Sequence, residues 1–485
     1  MEAEFKIVIA KERLRPKGGL KKHYPTRPFM FADLISQLAD APEGICDAEY
    51  RERQSRLLSQ LAPSDLLIIC TNPVAKRSND VNHPFRSSSD MLYLCGWEEE
   101  KGVLIAHYIK GEGWSVELFV EPRNVLMEVW NGRLHGLEGA EEKYPIDKAH
   151  SYNEMNEILG AYLLDAKRVV LRNGVNNKVD KLVDAAISNN SRPRQQLGLG
   201  PTSIASPNPM LAELRLRKSP AEIALLRHAS DISSLAHIAA MKVAKADIGE
   251  WQIQATLEGF FRYAKGSGWA YPSIVGCGEN ATILHYSSNN MTCKDGEVIL
   301  IDAAAEYCGY ASDITRSWPI NGEFTPDQKK IYTLVLDAQK AAIAECVVGN
   351  LFTAPHDKAC EIMAEGLIEM GILQCSLEDA LGPEGELRQW YMHNTSHWIG
   401  LDVHDVGIYR PDGEARKFEA GMVLTIEPGL YFGGWRPDVE IEERWSGIGI
   451  RIEDDVLITD AGPDVLTAKC PKEISELENI IGSDN

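Results

Sequence analysis

The sequence predicts an α/β protein of two domains, and three observations carry this. The chain has 485 residues, 44% hydrophobic and 25% charged, ordinary values for a globular protein with room for two or three domains. Short apolar runs in the first 190 residues alternate with helical patterns, as in an α/β unit. Residues 198–209, rich in Gly, Pro and Ser, then break the pattern. The boundary is placed near 200, giving an N-terminal domain over 1–200 and a second over 201–485.

Taken in order, the first 45 or so residues form an extension without assignment. Residues 20–28 read as irregular, and 29–62 as helix broken near Pro42-Glu43-Gly44. Asp65 to Cys70 is an apolar run that suits a buried strand. Two more runs lie between Lys101 and Val120, and another spans 168–171. Helical patterns occupy 121–135, 151–163 and 175–188. Beyond the break, Ser219-Pro220-Ala221-Glu222 is a capping box with Pro at the first helical position, opening a helix to about 242. Thr325-Pro326-Asp327-Gln328 repeats the device and opens a helix to about 347. Each is followed by a second helical stretch, 248–265 and 355–370, and then by strands, which hints at two similar halves.

Charge narrows the partners. Lys plus Arg is 50 against 71 Asp plus Glu, a net −21. Such a surface repels nucleic acid and anionic membranes. No run approaches the length of a membrane span, and Glu2 and Glu4 stand where a secretion signal is basic. The ten Cys are scattered singly and read as buried reduced thiols. The expected compartment is the cytoplasm.

Four runs in the C-terminal half set carboxylates on strands or at their ends. Asp302 closes Val298 to Ala303, and Asp313 follows in Tyr310 to Arg316. A hairpin through Glu306–Gly309 would bring the two onto neighbouring strands. Glu427 closes Val423 to Ile426. In Gly447 to Ile458, alternation places Ile448, Ile450 and Ile452 on one face and Arg451 and Glu453 on the other, so Arg451 can hold Glu453. One such carboxylate is readily a turn or cap. Four buried together repel, and protonation or cations must relieve that. Two divalent metals bridged by carboxylates are one solution. His393, His397 and His404 fall within twelve residues, among Gly, Ser and Trp, and His285 sits on a short apolar run. Asp, Glu and His without Cys suit manganese, cobalt, iron or zinc.

These stretches, 276–286, 301–318, 393–407, 425–431 and 447–455, resemble the motif set of the pita-bread metallopeptidases, in particular the aminopeptidase P branch. The run Arg77 to Arg86 with Asp90 and Tyr93 resembles that branch's N-terminal domain, and the likeness covers roughly 60–470. The resemblance implies an N-terminal α/β domain followed by a pita-bread α+β domain. It implies Asp302, Asp313, His397, Glu427 and Glu453 as ligands of two divalent ions, manganese foremost, with Asp313 and Glu453 bridging. His285, His393 and His404 match the histidines around the substrate, Arg451 the arginine beside the bridging Glu, and Tyr271 and Tyr431 site-lining tyrosines. Trp130 matches an aromatic that a neighbouring subunit contributes, which implies a homodimer or homotetramer; the alternative is a Trp half-buried on its own domain. Asn394 stands where the family usually has Gly, a change expected to have a small local effect. The implied reaction is hydrolysis of the bond between an N-terminal residue and a following proline. Rivals are a prolidase, cleaving only Xaa-Pro dipeptides, a metal-free creatinase-like hydrolase, and a metal-free binding module of the same fold.

Overall fold

Asp65–Cys70 is the strand around which the first domain is built. Leu66 and Ile68 enter one apolar cluster, Leu67 and Ile69 another, so the strand is covered on both faces and reads as a continuous apolar run. The protein is described here from a computed structural model, over residues 31–189 and 191–484. The irregular stretch read at 20–28, the start of the helix read at 29 and most of the N-terminal extension lie outside the described residues.

The first sheet has six strands in the order Lys148–Ser151, Gly113–Val120, Val103–Ile109, Asp65–Cys70, Arg168–Leu171, Ser203–Ala205. Val103–Ile109 runs antiparallel to both neighbours, and the outer pairs are parallel. Ser203–Ala205 lies within the stretch read as linker, so the sheet continues past residue 200. The helical pattern at 29–62 resolves into Ala32–Ile35 and Asp47–Leu58. The other three become Val125–Asn131, Met155–Asp165 and Asn177–Ser188. The last two cover one face of the sheet. The other face, with Leu67, Leu104 and Leu118, packs on Leu225, Ile399 and Leu457 of the second domain. The two domains therefore share one core.

Both capping boxes form. Ser219 Oγ accepts from the Glu222 amide at 3.2 Å while Glu222 Oε2 accepts from the Ser219 amide at 2.9 Å, opening Pro220–Val243. Thr325 and Gln328 do the same for Pro326–Ala344. Each long helix packs on its successor, Glu250–Tyr263 or Ala354–Glu369. Four short sheets lie against them. The hairpin expected around Glu306–Gly309 is two nested ones. Val298–Asp302 pairs with Thr315–Pro319, Asp302 facing Thr315. Inside it, Ala305–Tyr307 pairs with Tyr310–Ala311 across a turn at Cys308 and Gly309, both at positive φ. Val423–Ile426 pairs with Asp454–Thr459, and Gly429–Phe432 with Ile448–Arg451.

One expectation is corrected. Cys277 and Cys293, read as reduced thiols, are joined in a disulfide, and the other eight cysteines are free. Cys277 ends Ile274–Cys277, and the chain returns beside it because buried Glu250 accepts from the Cys277 and Met291 amides, the Asn280 amide group and the Tyr286 hydroxyl at 2.9–3.0 Å. The two Cα atoms come to 5.3 Å, within reach of a bridge. Among the described residues no helix is long and apolar enough to cross a membrane.

Candidate active site

Strand ends deliver the carboxylates. Asp302 is the last residue of its strand, and Asp313 lies two residues before the partner strand begins. Glu427 follows Val423–Ile426 directly, and Glu453 sits between Ile448–Arg451 and Asp454–Thr459. His397 is brought alongside by backbone pairing: the Thr425 amide donates to His397 O and the Glu427 amide to Thr395 O, each at 2.9 Å.

The five groups face one cavity of about 880 Å³, which His285, His393, His404 and Arg451 also line. His397 Nε2 stands 3.4 Å from both Asp313 Oδ2 and Glu427 Oε1. Its Nδ1 faces Trp398 O at 3.1 Å, which makes Nδ1 the donor there and turns Nε2 toward the carboxylates. Ligand atoms of Asp313, His397 and Glu453 all lie within 4.8 Å of one another. The Tyr271 hydroxyl donates to Asp313 Oδ1.

Arg451 differs from its expected role. Its Nη2 donates to Asp302 Oδ2 at 2.6 Å, Nη1 to the Tyr431 hydroxyl at 2.9 Å and Nε to Thr315 Oγ1 at 3.0 Å. Glu453 is reached only through Thr315, whose hydroxyl donates to Glu453 Oε2 at 2.6 Å. The physical reason is that the strand ends at Arg451, so the alternation that would put 451 and 453 on one face stops there.

His393 is held from both sides, Nε2 by the Tyr431 hydroxyl at 2.7 Å and Nδ1 by Asn394 O at 2.8 Å. It therefore offers the cavity its ring and no free nitrogen. Burial and the Arg451 charge push it down to about 3, so it is neutral. His404 stands edge-on to His397 with centroids 4.4 Å apart. His404 and His285 both line the cavity, and neither ring has a hydrogen-bond partner among the described residues. Asn394 is not among the residues with positive φ, so it carries no backbone strain there.

Electrostatics mark the same spot. Burial, opposed by Arg451, raises Asp302, and burial with the Asp313 and Glu427 charges raises Glu453 well above the usual range. Burial pushes Glu427 up to about 7 despite His397 and Arg451. Burial pulls His397 down, but its bond to Asp313 and the Glu427 charge outweigh this and hold it at about 9. Carboxyls that resist ionisation beside a histidine that resists deprotonation are what clustered acids do when they share a site.

Trp130 is not at this cavity. It is 82% exposed, on a helix whose Val125, Leu126, Met127 and Val129 are exposed too, so the reading as a Trp half-buried on its own domain fails. Sequence reasoning passed over Thr315, Thr425, whose hydroxyl accepts from the His397 amide at 3.1 Å, and His356, which lines the cavity with Nδ1 2.9 Å from Thr395 Oγ1. The first two are threonines in strands, where they look ordinary, and His356 is a lone histidine in a helix.

Comparison with known proteins follows the same lines. Residues 224–460 match the model of metallopeptidase family M24, and residues 50–171 that of the aminopeptidase P N-terminal domain. The Xaa-Pro aminopeptidase of Haemophilus influenzae is 38% identical over 436 residues, 89% of this chain and 97% of its own. The chain belongs to metallopeptidase family M24. Within M24 its structural likeness is to aminopeptidase P. The aminopeptidase PepP of Pseudomonas aeruginosa superposes with a TM-score of 0.85 at 36% identity, over 91% of this chain and 99% of that one. An Escherichia coli aminopeptidase P variant in complex with substrate gives 0.85 and 36%, over 90% and 98%. The two-domain architecture read from sequence, α/β then pita-bread, is the architecture observed.

M24 membership implies divalent metal ions, and the residues fit them. The donors are carboxylate oxygens and an imidazole nitrogen, a hard-to-borderline set. Asp302 Oδ1 is buried with no hydrogen-bond partner among the described residues, an expensive state for a carboxylate oxygen that a cation removes.

Proposed function

We propose that this chain is an Xaa-Pro aminopeptidase, hydrolysing the bond between an N-terminal residue and a following proline at a dinuclear metal centre. The observation that carries the reading is one cavity facing all five of Asp302, Asp313, His397, Glu427 and Glu453. These five would hold the ions. When bound, the cations supply Lewis acidity, activating a water and polarising the scissile carbonyl. Glu427 lines the cavity and can take a proton at a carboxylate oxygen. His404 and His285 hydrogen-bond the substrate carbonyl and its tetrahedral successor through their ring nitrogens. Arg451 fixes Asp302 and, through Tyr431, the His393 ring that orients the substrate. Tyr271 fixes Asp313. Proline in the second position removes an amide donor, so recognition rests on this ring-lined wall and the free α-amino group.

The proposal extends to manganese as the metal, on the oxygen-and-nitrogen donor set. It extends to a homodimer or homotetramer, on the exposed apolar helix Val125–Asn131 that presents Trp130 to a neighbour. It extends to the cytoplasm, on eight free cysteines out of ten. The test is metal content of the purified protein with activity on Xaa-Pro-Xaa tripeptides and Xaa-Pro dipeptides, before and after chelation. Tripeptide cleavage lost on chelation and restored by manganese is expected. Cleavage of dipeptides alone makes the protein a prolidase, and chelator-insensitive cleavage removes the metal reading.

A further inference from the structure

His404 is flanked by two aspartates that turn away from the cavity. Asp402 and Asp405 meet on one guanidinium, that of Arg215 in the last turn of Asn208–Leu216. Arg215 is 3% exposed. Its Nη2 donates to Asp402 Oδ2 at 2.7 Å and to Asp405 Oδ1, and its Nη1 to Asp90 Oδ1 at 3.0 Å. Lys218 Nζ donates to the other Asp405 oxygen at 3.0 Å, and Ser89 Oγ to the other Asp402 oxygen at 2.7 Å. Asp90 and Ser89 belong to the helix Ser89–Cys95 of the N-terminal domain. The carbonyl of Leu401 accepts from Arg86 Nη2, also of that domain.

Stability does not explain this cluster. Taking two cations and an aspartate out of water is costly, and apolar side chains of the same volume serve a fold as well or better. What ion pairs of fixed geometry provide is position, and the guanidinium fork reaches three carboxylates through two nitrogens held at fixed spacing, where an ammonium offers one point. The position they fix is that of His404, whose ring has no hydrogen bond of its own among the described residues and stands 4.4 Å from that of His397.

We propose that Arg215 is a positioning residue for His404, holding the 400–407 segment through Asp402 and Asp405 and tying it to the N-terminal domain through Asp90. The proposal rests on the reading of the chain as an Xaa-Pro aminopeptidase. Through this clamp the N-terminal domain then acts on the reaction of its own subunit without touching the substrate bound there.

The test is Arg215→Met in the metal-loaded enzyme, with a tripeptide substrate. We expect kcat to fall by roughly 10- to 100-fold, the scale of a misplacement near 1 Å, with KM changed less than about threefold and metal content unchanged. Arg215→Lys should not restore it. In a His404→Ala background the same substitution should cost less than about twofold, because its target is gone. Should Arg215→Met fold poorly, Ser89→Ala weakens the same clamp at its outer end and should show a smaller loss with the same dependence on His404. Hydrogen exchange provides a readout without turnover: residues 400–407 should exchange at least about tenfold faster while the rest is unchanged. Equal losses in both backgrounds, a drop in metal content, or unchanged exchange at 400–407 overturns the proposal. A wild type that binds metal but leaves Xaa-Pro-Xaa intact overturns the function instead, and the exchange result still decides the clamp.

Discussion

Replacing Glu427 by Gln should stabilise the metal-free protein while abolishing activity. Burial holds its carboxyl at about 7, against an ordinary 4.5. Below pH 4.5 the group is protonated in folded and unfolded chains alike and carries no penalty. As pH rises from 4.5 toward 7 the unfolded chain ionises while the folded one resists, so stability present at low pH is lost, and the loss is complete above about 7. At roughly 1.4 kcal/mol per pH unit, the gap between 4.5 and about 7 comes to about 3 kcal/mol by pH 8. Gln keeps the size and the contact with the Thr425 hydroxyl, 3.3 Å away, without the charge. Urea denaturation of chelated wild type and Glu427→Gln at pH 5 and pH 8 measures this. The two should agree within about 1 kcal/mol at pH 5, and the variant should lead by about 3 kcal/mol at pH 8, the advantage vanishing once manganese is restored to the wild type. A chelated wild type as stable relative to the variant at pH 8 as at pH 5 would refute the argument.

Asp313→Ala should eliminate tripeptide cleavage and lower the bound metal, with a circular dichroism spectrum close to wild type because the cavity can take up water; retained activity removes Asp313 from the metal site. Glu117 is buried, but bonds from His107, His150, Tyr162 and Ser115 override the burial penalty and hold its carboxyl at about 2. Its stabilisation is complete above pH 4.5 and fades as pH falls toward 2, so Glu117→Gln should cost about 3 kcal/mol at neutral pH and flatten the acid limb of a stability–pH curve. Trp130→Ala should raise KM for tripeptides and longer peptides and leave the melting temperature within about 2 °C, since an 82% exposed side chain carries little packing energy in its own subunit; a fully active monomer in sedimentation analysis excludes the shared site.

Two strands that carry the site were legible because each is an apolar run closed by a carboxylate, Val298–Asp302 at Asp302 and Val423–Ile426 at Glu427, and the capping boxes at Ser219 and Thr325 fixed where two long helices begin. Two short strands were not. Lys148–Ser151 is polar or small and Ser203–Ala205 is three residues with one large apolar side chain, and they are strands because a sheet edge is there to pair with. The donors were visible as residue types, and their connections were not. Arg451 reaches Asp302, 149 positions away, and touches Glu453 only through Thr315, a geometry set by where a strand stops. Arg215 was invisible for the same reason, since its partners lie at 90, 402 and 405. The pairing of Cys277 with Cys293 depends on a loop knotted by Glu250, for which a spacing of 16 gives no signal.

The shared face between the domains sets a schedule for synthesis. Leu67, Leu104 and Leu118 are finished early, yet their cover includes Ile399 and Leu457. At 5–20 residues per second, the roughly 250 residues after Ala205 take on the order of ten to fifty seconds to emerge. For that interval the nascent sheet lacks the cover that Ile399 and Leu457 provide. A chain cut after the sheet keeps that face exposed for good, and it should aggregate where the full-length protein does not.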